Sequence, residues 1–233
     1  MTSGQSVTSP AKPAQQGVDA FLEAAAKVPA TRGARGRLIF ALDATMSRQP
    51  TWDMAMGLQG KMFEAAAAAG GLDVQLVYFR GMKECRASRF ATDGAGLAQM
   101  MSRIAVAGGL TQWLRVLRHA HGEARRASVG ALVLVGDSME ENADSLAAAA
   151  GELALLGVKI FAFQEGIEER ARASFKEIAK VTGGAYCAFD AGSAKRLASL
   201  LKAAAGYAAG GMSGLEVAAR SDGEALKLLK QMR

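Results

Sequence analysis

Leu38-Ile39-Phe40-Ala41-Leu42, followed by Asp43-Ala44-Thr45-Met46-Ser47, is the stretch on which the fold turns. Five apolar residues without a polar break mark a strand buried on both faces, as in a parallel sheet covered by helices. A strand with one face in water would alternate polar and apolar side chains instead. Directly after Leu42 the chain becomes a polar loop that runs to Pro50. The loop opens with a carboxylate and two hydroxyls at alternate positions, which an extended backbone can aim at one point.

Outward from this stretch the same grammar repeats. Trp52 to Ala69 has helical spacing and stops at Gly70-Gly71, a strong helix terminator. Val74 to Phe79 reads as the next strand, and Cys85 to Ala91 as a short strand beside it, reached by a turn at Gly81. The spacing predicts helices over Leu97–Ala107 and Gln112–Arg126. Ala131–Val135 is a third buried strand, with a helix over Ser145–Leu156. Lys159–Phe163 is a fourth, with a helix over Arg170–Val181. Tyr186–Phe189 is a last short strand and Ala194–Tyr207 the helix after it. Strands alternating with helices of this length imply right-handed βαβ units. The expected fold class is therefore α/β: a doubly wound, mainly parallel six-stranded sheet with helices on both faces, Rossmann-like in architecture.

The flanks read differently. Residues 1–36 form a flexible N-terminal segment in this reading. It comprises a Ser/Thr/Pro/Gln-rich lead-in, a short amphipathic helix carrying Phe21, Leu22, Ala25 and Val28, and a basic glycine-containing linker. Residues 37–207 are the domain. Beyond Gly210-Gly211, residues 208–233 read as an amphipathic tail with Leu226, Leu228 and Leu229.

The 233 residues are half hydrophobic and 6% aromatic, with a net charge of +6. That is enough for one sizeable domain with a small-residue core. No apolar run reaches the ~18 residues a membrane span needs. No apolar core of signal-peptide type occurs near the N-terminus, so the expected location is the cytoplasm, which two cysteines also suit. The basic residues are scattered, with modest clusters at Arg32/Arg35/Arg37 and Arg115/Arg118/Arg125/Arg126. No nucleic-acid motif accompanies them, and a nucleic-acid partner is not expected. His119 and His121 lie two apart on a helix, not at the i, i+4 spacing of a metal pair, and are expected at the surface. Gly57-Leu58-Gln59-Gly60-Lys61 lacks the spacing of a phosphate loop.

In an open parallel sheet, ligands bind beyond the carboxyl ends of the strands. Three loops there hold oxygen donors: Asp43, Thr45 and Ser47 after the first strand, Thr111 in Gly108-Gly109-Leu110-Thr111, and Asp137 in Gly136-Asp137-Ser138. Singly, each suits a helix cap or a turn. Jointly, two carboxylates and three hydroxyls suit a hard divalent cation, Mg²⁺ or else Mn²⁺ or Ca²⁺, whereas zinc is disfavoured without imidazole or thiolate. Glu140 and Glu141 follow closely. They either add negative charge at the metal mouth or occupy a helix's first turn.

The combination resembles the von Willebrand factor A (VWA) family and its metal-ion-dependent adhesion site (MIDAS). That family's pattern is Asp-x-Ser/Thr-x-Ser, a distant Thr and a distant Asp. Asp43, Thr45 and Ser47 match the first element in its Asp-x-Thr-x-Ser form, and Thr111 and Asp137 match the others, across Arg37 to Tyr207. The chain departs from the pattern at Met46, where the family has a small residue, and at Gly136-Asp137-Ser138, in place of a Thr-Asp-Gly sequence. The resemblance implies that Asp43 and Asp137 hold the ion, partly through water, and that the three hydroxyls bind it directly. An Asp or Glu of a protein partner would complete the coordination. It further implies a binding module and not an enzyme, of the kind that works alongside AAA-type ATPases or stress-response proteins. The alternative is a Mg²⁺-dependent hydrolase or phosphotransferase using the same carboxylates, which would need a base or nucleophile beside the metal. Family strand order would also put Cys85 and Cys187 on opposite sheet edges, too far apart for a disulfide.

Overall fold

The structure, a computed structural model, describes residues 35–45, 49–67, 69–190 and 193–233. The lead-in, the helix at residues 18–28 and most of the linker lie outside the described residues, as do Met46, Ser47 and Arg48.

Six strands form one sheet: β1 (Gly36–Asp43), β2 (Leu72–Arg80), β3 (Glu84–Ala91), β4 (Ala131–Gly136), β5 (Lys159–Glu165) and β6 (Ala185–Phe189). Their order is β3-β2-β1-β4-β5-β6. β3 runs antiparallel to β2, and every other pairing is parallel. Among the described residues there are seven helices: α1 (Gln49–Ala67), α2 (Gly94–Met101), α3 (Trp113–Arg126), α4 (Ala143–Leu155), α5 (Glu169–Val181), α6 (Ala194–Ala219) and α7 (Gly223–Gln231). None is long and apolar enough to cross a membrane.

The apolar run of β1 is divided between two cores by the alternation of side chains across a strand. Leu38, Phe40 and Leu42 join Val133, Val135, Phe161 and Phe163 under α1, α6 and α7. Ile39 and Ala41 join Leu132, Leu134, Ile160 and Ala162 under α3, α4 and α5. Leu38 to Leu42 are all fully buried, which is why no polar residue interrupts them. The strand order reverses between β1 and β4. Leu42 pairs with Val135 there, so the residues that follow both strands emerge side by side at the switch point.

Three sequence expectations are corrected. The helix placed at Leu97–Ala107 begins earlier and ends at Met101. Asp93 caps it by accepting the Gly96 N–H at 2.7 Å. Residues beyond it leave the helix, and Ile104 and Val106 pack on the core without helical backbone. The break expected at Gly210-Gly211 is present: α6 is two helical pieces that meet at a kink at Gly211 (φ 60°, ψ −148°), a non-helical conformation that suits glycine. What is corrected is the tail, expected as one helix over Leu215–Met232: it breaks again at Asp222, which caps α7, and Leu215, Ala225, Leu228 and Leu229 share the core beneath β5 and β6. His119 is half-buried, with a ring nitrogen 2.9 Å from Gln75 Oε1, and burial lowers its pKa. It belongs to the packing of α3 on β2, not to the surface.

Cys85 lies on β3 and Cys187 on β6, at opposite edges of the sheet, and both are free thiols. Six strands at ~4.8 Å spacing put the edges about 24 Å apart, far beyond disulfide reach. Burial raises the pKa of both thiols, so little reactive thiolate forms near neutral pH. Thiol titration is expected to be slow in the native protein. In denaturant without reductant it should count two thiols, and any lower count would contradict this topology.

Candidate metal centre

Asp43 ends β1 at the switch point and is 1% exposed. Its Oδ1 accepts the Thr45 N–H at 2.8 Å, which bends the chain as soon as the strand stops. The turn is stitched on both sides. The Ala44 N–H donates to Phe79 O at 3.0 Å, and the Ala107 N–H donates to Ala44 O at 3.0 Å. The segment after α2 is thereby drawn across the carboxyl ends of β1 and β2. Further on, the Leu110 N–H donates to Gly81 O at 3.2 Å, and the Gln112 side-chain amide donates to Arg80 O at 3.2 Å. Thr111 is delivered to the same place as Thr45 although 66 residues separate them in sequence.

Asp137 follows β4. Gly136 is required just before it, because a Cβ there would run into the indole of Trp113. Trp113 is fully buried and packs edge-on against Phe79 (4.7 Å between centroids) and Phe175 (5.4 Å). Its Nε1–H donates to Ser138 O at 3.1 Å. The two loops carrying Thr111 and Asp137 are therefore joined through one tryptophan.

Asp43, Thr45, Thr111 and Asp137 line a single cavity of 240 Å³, together with Gly108, Gly109, Ser138 and Glu140. Four of the five expected donors are thus brought together; Ser47 lies outside the described residues. Among the described residues, no three carboxylate, imidazole or thiolate groups converge closely enough to hold a metal between them. A cation here would need the hydroxyls as well as Asp43 and Asp137. The donors fit that demand: all are oxygen, two are carboxylates, and the cavity leaves room for water.

Three acidic residues have roles that sequence reasoning did not assign. Glu140 accepts hydrogen bonds from both the hydroxyl and the N–H of Thr111. Glu141 accepts the N–H groups of Trp113 at 2.6 Å and Leu114 at 2.9 Å, capping α3 from a distant loop. A carboxylate is stabilising at such a helix N-terminus, though neither residue serves the helix that follows it. Glu165 is buried at the end of β5 and accepts a hydrogen bond from Thr51 in the first turn of α1. Sequence reading passed over it because it ends an apolar strand, although its place at the carboxyl end of β5 was the available signal.

No family sequence model matches the chain, and no curated protein matches it in sequence. Solved structures do. The von Willebrand factor type A structure from Catenulispora acidiphila superposes with a TM-score of 0.57 at 16% identity, over 75% of this chain and 43% of that one. The SpRpn10 VWA domain gives 0.56 at 10% identity, over 74% of this chain and 95% of that one. This chain has the von Willebrand factor A fold. A further VWA-like neighbour is proximal thread matrix protein 1 from the mussel byssus, in a structure with a zinc-occupied MIDAS motif. It gives a TM-score of 0.52 at 14% identity, over 75% of this chain and 47% of that one. At these identities the likeness is one of fold, and the chain spans less than half the length of two of these proteins. The mussel structure also shows that a MIDAS motif can hold zinc, so the argument against zinc from ligand type loses its force.

Proposed function

We propose that this VWA-fold chain is a metal-dependent protein-interaction module. The observation that carries the reading is the convergence of Asp43, Thr45, Thr111 and Asp137 on one cavity at the switch point. In this reading those residues, with Ser47 from the sequence motif, hold a divalent cation, Mg²⁺ or else Mn²⁺ or Ca²⁺. The bound cation supplies a Lewis-acidic position for an oxygen ligand. Asp43 and Asp137 supply the charge that retains the ion, Thr45 and Thr111 supply neutral donors, and an Asp or Glu on a protein partner completes the shell. A cytoplasmic setting beside an AAA-type ATPase or a stress-response system belongs to the same proposal.

Two rivals are weaker. A hydrolase would need a base, and the additional carboxylate lining the cavity, Glu140, is engaged by Thr111. A nucleic-acid scaffold would need free cations. Arg37 instead pairs with Glu123 at 3.1 Å and lies over the Phe90 ring at 4.0 Å. Arg126 pairs with Glu123 at 2.8 Å, and Arg35 with Asp73 at 2.5 Å.

Peptides bearing a central Asp or Glu are expected to bind in the presence of Mg²⁺ or Mn²⁺ and to be released by chelator, as read by fluorescence anisotropy. Thr111→Ala should weaken that binding about tenfold or more with the fold intact, since even outer-shell changes at metal sites cost about that much. Binding indifferent to chelator would sink the module. Metal-dependent phosphoester turnover lost in both Asp43→Ala and Asp137→Ala would promote the hydrolase.

A further inference from the structure

We propose that Glu140 is a positioning residue of the metal centre, accepting the hydrogen bond of the Thr111 hydroxyl so that this oxygen keeps a lone pair for the cation. The inference rests on the metal-centre reading above and extends it to a residue outside the five-donor pattern.

A threonine hydroxyl has one proton and two lone pairs. To ligate a cation it must send the proton elsewhere, because a proton facing the ion is repelled by it. Here the O–H donates to Glu140 Oε2, and the Thr111 N–H donates to the same oxygen at 3.0 Å. The hydroxyl in turn accepts the Glu140 N–H at 3.3 Å. One donor and one lone pair are spoken for, and one lone pair remains. A carboxylate is the strongest acceptor available for that proton. Its negative charge, one hydrogen bond away, also makes the hydroxyl oxygen a better donor to a cation. Ligands of bound metals are characteristically oriented in this way by outer-shell acceptors.

Glu140 is not assigned as a direct ligand, because its Oε2 is committed to the hydroxyl and the N–H of Thr111. Nor is it needed to hold the two loops together. Glu141 binds the Trp113 and Leu114 N–H groups, the Trp113 indole binds Ser138 O, and Arg170 donates to Glu140 O at 3.2 Å. Those contacts survive a change of the Glu140 side chain, which separates positioning from support.

The test is a double-mutant cycle read by Mn²⁺ affinity, with Mn²⁺ itself as the probe. Glu140→Gln keeps the size and a carbonyl acceptor but removes the charge. Thr111→Val keeps the shape and the N–H but removes the hydroxyl. With Thr111 present, Glu140→Gln should weaken Mn²⁺ binding about tenfold or more, with the thermal midpoint of the metal-free protein unchanged. In the Thr111→Val background the same change should cost little, since two residues acting through one bond are not additive. Glu140→Asp should recover part of the loss. Unchanged affinity in Glu140→Gln overturns the proposal, and so does a loss equally large without the hydroxyl. The parent protein and Asp43→Ala serve as the reference pair. If the parent binds no Mn²⁺, or Asp43→Ala binds it normally, the metal-centre reading fails by itself, visibly apart from any result at Glu140.

Discussion

Asp43→Ala is expected to abolish divalent-cation binding while leaving the domain folded. Asp43 is one of two carboxylates among the donors gathered at the switch point, and it is the more deeply buried. Removing it leaves Asp137 and neutral hydroxyls. Outer-shell changes alone cost about 10–100-fold in metal affinity, so loss of a carboxylate ligand should exceed about 100-fold. The cleanest readout is thermal. A ligand at 100 times its Kd adds about 2.7 kcal/mol to stability. For a domain of this size that should raise the parent's Tm by roughly 5–10 °C, and the variant's by nothing. Asp43→Asn adds a control, because an amide oxygen can still accept the Thr45 N–H seen at 2.8 Å. If that variant also loses the thermal response, the charge and not the turn is what the cation requires. A full response in Asp43→Ala would refute the assignment.

The fold was legible wherever burial on both faces left a simple mark. β1, β4 and β5 could be read as strands because each lies at the centre of the sheet between two cores, where polar side chains are excluded. The donors Asp43, Thr45, Thr111 and Asp137 could be read because the rule that ligands gather beyond strand carboxyl ends selects those loops. What failed was local where the decisive contact is distant. Leu97, Met101, Ile104 and Val106 have enough periodicity to suggest one long helix. Yet the chain must stop at Met101 and cross the strand ends to bring Thr111 to Asp43. That requirement comes from the Ala107–Ala44 and Leu110–Gly81 hydrogen bonds, which no window of sequence contains. By contrast, the break at Gly210-Gly211 was legible because paired glycines weaken a helix, and Gly211 does leave helical backbone. What the sequence did not show is that Leu215 beyond the kink is buried in the same core as Leu197 and Leu201, so the tail packs on the domain. Glu140 and Glu141 could be read as charge at the metal mouth or as ornaments of the next helix; Glu140 does line the cavity, but the partners of both lie 27 to 29 residues earlier.

Trp113→Ala is expected to be the most destabilising single change near the site, and it should damage metal binding as well. Trp113 is fully buried against Phe79 and Phe175. Truncating such a side chain costs about 3–5 kcal/mol, a fall in Tm of roughly 6–20 °C in a domain of this size. Gly136 sharpens the expectation. Its lack of a side chain exists to let the indole approach, so the cavity left by alanine has no neighbouring Cβ at that position to collapse into it. The indole is also the packed link between the loop that carries Asp137 and the helix that starts after Thr111, through its hydrogen bond to Ser138 O. Trp113→Phe tests that link separately. It keeps most of the apolar contact but leaves the Ser138 carbonyl without the indole donor, a loss of about 1–3 kcal/mol. If the indole holds the two loops in register, Trp113→Phe should lower Mn²⁺ affinity measurably at temperatures well below its own Tm. A folded Trp113→Phe protein with unaltered Mn²⁺ affinity would show that the site is positioned by backbone contacts alone, with the tryptophan serving only the core.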